Sequence, residues 1–187
     1  MRDFNPVRGE VDWDILTMKA DGSAERNLTN SPGVVDTQPT WSPNGRKIAF
    51  TRGPDVDSVW DIYTMSPDGS RVRQLTSGAL DNEFPNWSPD GTRIVFNSLR
   101  DEPLGENYEV YSMRAGGGHV TRLTFEPAAG DYAPAWSPDG RRIVFSSSRT
   151  GSANDIFTMR ADGSNQRNRT KDADDAFNGS PDWQPLH

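Results

Sequence analysis

The chain has 187 residues, a formal net charge of −7, 33% hydrophobic and 10% aromatic residues, with 17 Gly, 14 Pro and no Cys. The acidic balance excludes a nucleic-acid groove, which needs clustered Lys and Arg, and the absence of Cys excludes disulfides, thiolate metal sites and cysteine nucleophiles. High Gly, Pro and aromatic content suits short strands joined by tight turns rather than long helices, and no run reaches the ~18 apolar residues of a membrane span.

The first residues, Met1-Arg2-Asp3-Phe4-Asn5-Pro6, lack the apolar run of a secretory signal. The chain is therefore expected either to be cytosolic or to have an incomplete start. Phe4 precedes Ile15 by the same interval that separates Phe145 from Ile156. The N-terminus thus reads as the end of one strand followed by Asp14-Ile15-Leu16-Thr17-Met18, an Asp21-Gly22-Ser23 turn and a short polar strand, Asn27-Leu28-Thr29.

From here a four-strand phrase repeats. Strand a carries Trp41, Trp87, Trp136 or Trp183 and closes in a Ser-Pro-Asp-Gly turn, with Asn44 replacing Asp in the first copy. In that turn Pro presets φ, and Gly45, Gly91 or Gly140 accepts positive φ. Strand b follows as Lys47-Ile48-Ala49-Phe50, Arg93-Ile94-Val95-Phe96 and Arg142-Ile143-Val144-Phe145, runs apolar enough to imply burial on both faces. Strand c reads Asp61-Ile62-Tyr63-Thr64-Met65, Glu109-Val110-Tyr111-Ser112-Met113 and Asp155-Ile156-Phe157-Thr158-Met159; strand d is short and polar, as an edge should be. The last copy, Pro181-Asp182-Trp183-Gln184, ends after strand a.

Four short antiparallel strands per ~45 residues is the arithmetic of a propeller blade. The expected fold is all-β: a β-propeller of four antiparallel four-stranded blades in one domain, 1–187. The blade-like repeats cover approximately 36–76, 82–124 and 131–170, with a composite of 178–187 and 1–29 in which the N- and C-terminal strands close the ring. A larger propeller, or a homodimer of two chains, is the alternative. One Trp per blade at fixed phase reads as core packing.

The phrase Trp-Ser-Pro-Asp-Gly-x-x-Ile-x-Phe, then Asp-Ile-Tyr-Thr-Met-x-x-Asp-Gly-Ser and Leu-Thr, resembles the repeat of TolB-like propellers over essentially the whole chain. Similar blades occur in tricorn-type and prolyl-oligopeptidase-type peptidases. The resemblance implies a WD-like propeller that binds other proteins, often in the bacterial periplasm, and leaves activity open. It also implies six blades, against four repeats here, and Gly116-Gly117-Gly118 and Arg169 depart from the pattern.

Blade geometry sends the tight turns to one side and the long b-to-c and d-to-a connections to the other, where function concentrates. The long-loop side holds Glu10, Asp12, Asp36, Asp55, Asp57, Asp81, Glu83, Asp101, Glu102, Glu106, Glu126, Asp131, Asp172, Asp174 and Asp175 against Arg8, Arg52, Arg100, Arg149 and Lys171. Such a face favours a partner protein with a basic surface and repels nucleic acid. Five residues before each Trp stand Asp36, Asn82, Asp131 and Asn178, a position expected beside the channel mouth. With Asp175 and the apolar anchors Phe84, Tyr132 and Phe177, these are the candidate binding residues. A ring of four such oxygens could hold calcium, but Asp and Asn are ordinary turn residues before a strand, so no cofactor is expected. Arg52, Arg100 and Arg149 are expected to pair within their blades with Asp61, Glu109 and Asp155.

The internal His119 lies in a tight turn, and no Gly-x-Ser-x-Gly elbow or phosphate-binding Gly-rich loop is present. The expected function is a non-catalytic protein-interaction module. The competing readings are a propeller domain accessory to a peptidase and a cation-dependent hydrolase or lactonase.

Overall fold

Alternating apolar residues, punctuated by Gly and Pro, give sixteen strands and no helix among the described residues of a computed structural model. The structure describes residues 2–5, 10–54, 59–78, 80–101, 107–151, 154–170 and 179–184. Three antiparallel four-stranded sheets repeat the same order. Sheet I is β5 (Val35–Trp41), β6 (Ile48–Gly53), β7 (Asp61–Met65) and β8 (Arg73–Gln74). Sheet II is β9 (Asn82–Trp87), β10 (Arg93–Ser98), β11 (Glu109–Arg114) and β12 (Thr121–Arg122). Sheet III is β13 (Asp131–Trp136), β14 (Arg142–Ser147), β15 (Asp155–Arg160) and β16 (Arg167–Asn168). An N-terminal unit precedes them: β1 (Arg2–Asn5), β2 (Glu10–Trp13), β3 (Leu16–Thr17) and β4 (Arg26–Asn27).

The sheets stack face to face because each strand has two buried faces, and successive side chains point opposite ways. In β10, Ile94 and Phe96 pack with Trp87, Tyr111 and Met113 against Ala49 and Ile62 of sheet I. Val95, between them, joins Val110 and Leu123 against Trp136, Ile143, Phe145, Phe157 and Met159 of sheet III. Ile48, Phe50 and Met65 of sheet I meet Ile15 and Leu28 of the N-terminal unit in the same way. Trp87 and Trp136, with Met65, Met113 and Met159, therefore seal each sheet onto the unit before it.

Two expectations change at the ends. β1 pairs antiparallel with β2, Arg2 opposite Trp13, rather than with the segment from Asp14, and β2 joins sheet I through a parallel bridge from Trp13 to Val35. Residues 179–184 form no ladder with β1, and no strand of the N-terminal unit touches β13 to β16, so the sheets are not closed into a ring among the described residues. The polar run Arg2-Asp3 offers no apolar side chains to seal such a closure. Packing follows the gap: Trp87 and Trp136 are each 7% exposed, whereas Trp41 is 50% exposed, so the expectation that every repeat Trp is core holds only where a complete sheet precedes it.

Candidate functional site: the channel and its rim

The same clamp recurs on the long-loop side of each sheet. A Phe of the second strand stacks on a ring of the third, Phe50 on Tyr63, Phe96 on Tyr111 and Phe145 on Phe157, with centroids 5.8–5.9 Å apart. An Arg lies over each pair: Arg52, Arg100 and Arg149. Each guanidinium then reaches the first strand of its own sheet. Arg52 holds both oxygens of Asp36, at 2.6 and 2.7 Å, and Arg149 donates to Asp131 Oδ2 at 2.6 Å. Arg100 donates to Asn82 Oδ1 at 2.7 Å, and burial lowers its pKa. Arg52 and Arg149 form ion pairs with Asp36 and Asp131 of their own sheets rather than with Asp61 and Asp155, Arg149 also reaches Glu126 at 3.1 Å, and Arg100 bonds the neutral amide of Asn82 rather than Glu109.

Those third-strand acids form a second clamp, present in all four units. The hydroxyl of Thr29, Thr76, Thr124 or Thr170 donates to Asp14, Asp61, Glu109 or Asp155 respectively. The same oxygen accepts the backbone N–H of Ile15, Ile62, Val110 or Ile156. One hydroxyl thus satisfies a buried amide and a carboxylate at once, which is why Leu-Thr recurs. Burial raises the pKa of Asp61 and Glu109 above the usual carboxylate range, against the lowering pull of these donors.

Asp36, Asn82 and Asp131 are 2%, 1% and 0% exposed, committed to the clamps rather than lining an open mouth. Among the described residues no three Asp, Glu or His side chains are grouped to hold a metal ion. Asp175, Phe177 and Asn178 lie outside the described residues.

The channel itself is lined two to four residues after the positions the sequence suggested. Gln38-Pro39-Thr40, Phe84-Pro85-Asn86, Ala133-Pro134-Ala135 and Ser180-Pro181-Asp182 surround a cavity of about 420 Å³. In the three complete sheets its first residue is a bulge in the left-handed region: Gln38 at φ 53°, Phe84 at 54° and Ala133 at 47°. The bulge turns the amide sideways so that it bonds the neighbouring sheet. Phe84 N–H donates to Gln38 Oε1 at 2.8 Å, Ala133 N–H to Asn97 Oδ1 at 3.1 Å, and Trp136 N–H to Asn86 Oδ1 at 3.0 Å. Trp183 Nε1 donates to Ala135 O at 3.1 Å, which seats residues 180–183 as a fourth inner segment.

Beside Phe84, Tyr132 and the long-loop acids Asp81 and Glu83 the structure adds Tyr108, which sequence reasoning passed over. Tyr108 meets Tyr132 with ring centroids 5.5 Å apart, and its hydroxyl donates to Asp81 Oδ2 at 3.0 Å. Burial, with the nearby charges of Glu83 and Asp81, pushes the Tyr108 pKa up, and burial likewise raises Glu83. All five side chains, Asp81, Glu83, Phe84, Tyr108 and Tyr132, are half-buried, and Asp101 is exposed. A signal was available: an aromatic residue directly precedes the third-strand acid at Trp13, Trp60 and Tyr108. The cavity presents Pro faces, amides and one carboxylate, Asp182, and the rim presents acids and rings.

Residues 7–100, half of the chain, match the family described as TolB beta propeller domain, and residues 57–184 match the Tricorn protease N-terminal beta propeller domain. The chain is similar to the Tol-Pal system protein TolB of Zymomonas mobilis, 55% identical over 40 residues that make 21% of this chain and 8% of that protein. A putative TolB from Agrobacterium tumefaciens superposes with a TM-score of 0.71 at 30% identity over 89% of this chain and 58% of that one. TolB from Acinetobacter baumannii gives 0.69 at 22% identity, over 89% and 39%. This chain thus spans less than two thirds of these relatives. Repeat, sheet stacking and matched segments agree, and the chain belongs to the TolB-like β-propeller family.

Proposed function

We propose that this chain is a non-catalytic protein-interaction module whose acidic, aromatic rim takes a basic segment of a partner protein. The observation that carries the reading is the rim cluster of Asp81, Glu83, Phe84, Tyr108 and Tyr132, where half-buried rings offer contact area beside carboxylates. Exposed Asp101 extends the charge along the same side. The TolB resemblance supports a protein of a Tol-Pal-type system as partner and the bacterial periplasm as the setting. Titration calorimetry with a Lys- and Arg-rich peptide tests it: Glu83→Lys with Asp101→Lys weakens binding about tenfold, about 1.4 kcal/mol, and added salt weakens the parent chain similarly. Binding that is indifferent to both changes sinks the proposal.

A second reading rests on the tricorn-type match over residues 57–184. In it the channel admits peptide to a hydrolase domain elsewhere in the same polypeptide. A gene that encodes no such domain removes this reading.

A further inference from the structure

The joints between successive units repeat one polar contact, with a different residue at its centre each time. Between sheets I and II, Asn82 Oδ1 accepts Arg100 at 2.7 Å, and its amide nitrogen donates to Asp61 Oδ1 at 3.0 Å. Between the N-terminal unit and sheet I, Asp36 takes the place of Asn82, and Arg52 occupies both of its oxygens. Asp14 there accepts Thr29, Asn27 and the Ser31 amide. Between sheets II and III, Asp131 lies opposite Ser147 as Asn82 lies opposite Ser98. Its Oδ2 accepts Arg149 at 2.6 Å, as Asn82 Oδ1 accepts Arg100.

The other oxygen of Asp131 breaks the pattern. Oδ1 stands where Asn82 carries a donor, is fully buried, and has no hydrogen-bond partner among the described residues. In the place of Asp61 is Glu109, whose side chain is also fully buried and feels the Asp131 charge. Glu109 already accepts Arg122 Nη2 at 2.8 Å, the Glu126 amide and the Thr124 hydroxyl. That hydroxyl also stands by Asp131 but has no second proton to give. Two buried carboxyls are thus one hydrogen short, and a bare buried acceptor is costly. The remaining charges around them are Arg122, Arg149 and the Glu126 carboxylate, 3.1 Å from Arg149 Nη1, while Asp81 and Glu83 are turned to the Tyr108 hydroxyl. Three carboxylates against two guanidinia leave one negative charge in excess.

We propose that Glu109 and Asp131 share a single proton in the folded protein, and that this proton latches sheet III onto sheet II. It supplies the missing hydrogen bond and cancels the excess charge at once. Burial raises both carboxyls above the usual range, and the Asp131 charge adds to the rise at Glu109. The titration therefore belongs to the pair. Tyr108 directly precedes Glu109 and Tyr132 directly follows Asp131, and their rings meet 5.5 Å apart across the same joint. The latch thus adjoins the rim, yet it does not depend on what the rim binds. Because the folded pair holds its proton more tightly than unfolded carboxyls do, its contribution is complete below the ordinary carboxyl range. It is lost as pH rises through the pair's own range.

Infrared spectroscopy of the full chain at about pH 6, where ordinary carboxyls with pKa values of about 4 are ionised, tests the assignment. It is expected to show a protonated-carboxyl band that Asp131→Asn and Glu109→Gln each abolish, because either amide supplies the hydrogen itself. Asn82 already shows that such a joint accepts an amide at this position. In urea denaturation the unfolding constant of the parent chain is expected to rise by up to about tenfold per pH unit across the pair's range, and Asp131→Asn removes that share of the slope. A parent spectrum without the band, a band that only one of the two variants removes, or a slope that Asp131→Asn leaves unchanged overturns the proposal.

Discussion

At the residue scale, the Arg clamps show how one position can carry different energetics in successive repeats. Arg149 faces the fully buried carboxylate of Asp131, whereas Arg100 faces the neutral amide of Asn82. Arg149→Met leaves a buried charge without its main partner and is expected to cost about 3–5 kcal/mol. Arg100→Met loses a hydrogen bond to a neutral acceptor, about 1–3 kcal/mol. Urea denaturation of the two variants checks the order, and equal losses would show that the aromatic stacking, common to both, dominates. The pH dependence has a definite sign. Burial already raises the Asp131 pKa, so the folded state binds that proton more tightly than the unfolded state. The Arg149→Met defect therefore shrinks as pH falls toward the ordinary Asp range from above, because removing Arg149 raises the folded-state pKa of Asp131 further. The sequence announced that Arg52, Arg100 and Arg149 would pair inside their sheets, but not with whom. Strand register chose: Asp36 lies directly opposite Arg52, and Asn82 and Asp131 sit opposite Ser98 and Ser147, two residues before Arg100 and Arg149.

At the element scale, the turns and inner strands were legible to different degrees. Ser-Pro-Asp-Gly was read correctly as a hairpin turn. In it the Ser hydroxyl bonds the Asp or Asn two residues on, and Gly45, Gly91 and Gly140 take φ of 65–68°. The turns between third and fourth strands contain a contact that no local pattern reveals, because its other half is the neighbouring sheet. Gly163→Ala and Gly22→Ala place a side chain at nearly the same backbone angle, φ 86° and 81°, which costs about 1–2 kcal/mol in each. Only Gly163 also faces a carbonyl, Leu123 O at 2.6 Å from the added Cβ, so its variant is expected to lose a further ~1–3 kcal/mol. Thermal melts of the two variants measure the difference, and equal melting points would mean the sheets separate without cost. The bulges at Gln38, Phe84 and Ala133 were invisible for a related reason. Nothing in those three residue types favours positive φ, and it is the neighbour's Gln38 Oε1 or Asn97 Oδ1 that holds the amide there.

At the scale of the whole molecule, the stack behaves as a one-dimensional series in which each sheet depends on its predecessor. Trp87 is buried between sheets I and II, so Trp87→Ala is expected to cost about 3–5 kcal/mol. Trp41 occupies the same place in its repeat but is half exposed, and Trp41→Ala is expected to cost under ~1 kcal/mol. Chemical denaturation followed by circular dichroism reads both losses, and a large loss for Trp41 would show that its exposed face is covered in solution. The acidic face changes character at this scale as well. Asp36 and Asp131 count as negative in the sequence, yet their charges are neutralised inside the sheets, so the working charge moves to Asp81, Glu83 and Asp101.

By itself the sequence determined the repeat, the strand order within the three complete sheets, the turn types and the family, because these depend on periodicity and local backbone chemistry carried by adjacent residues. It also named Phe84, which lines the channel, and Tyr132, which stands on its rim. Only the tertiary structure decided which carboxylates face water, which residues line the channel, and which partner each Arg clamp takes. Each of these depends on a partner some 15 to 50 residues away, brought close by stacking, and no local pattern encodes that distance.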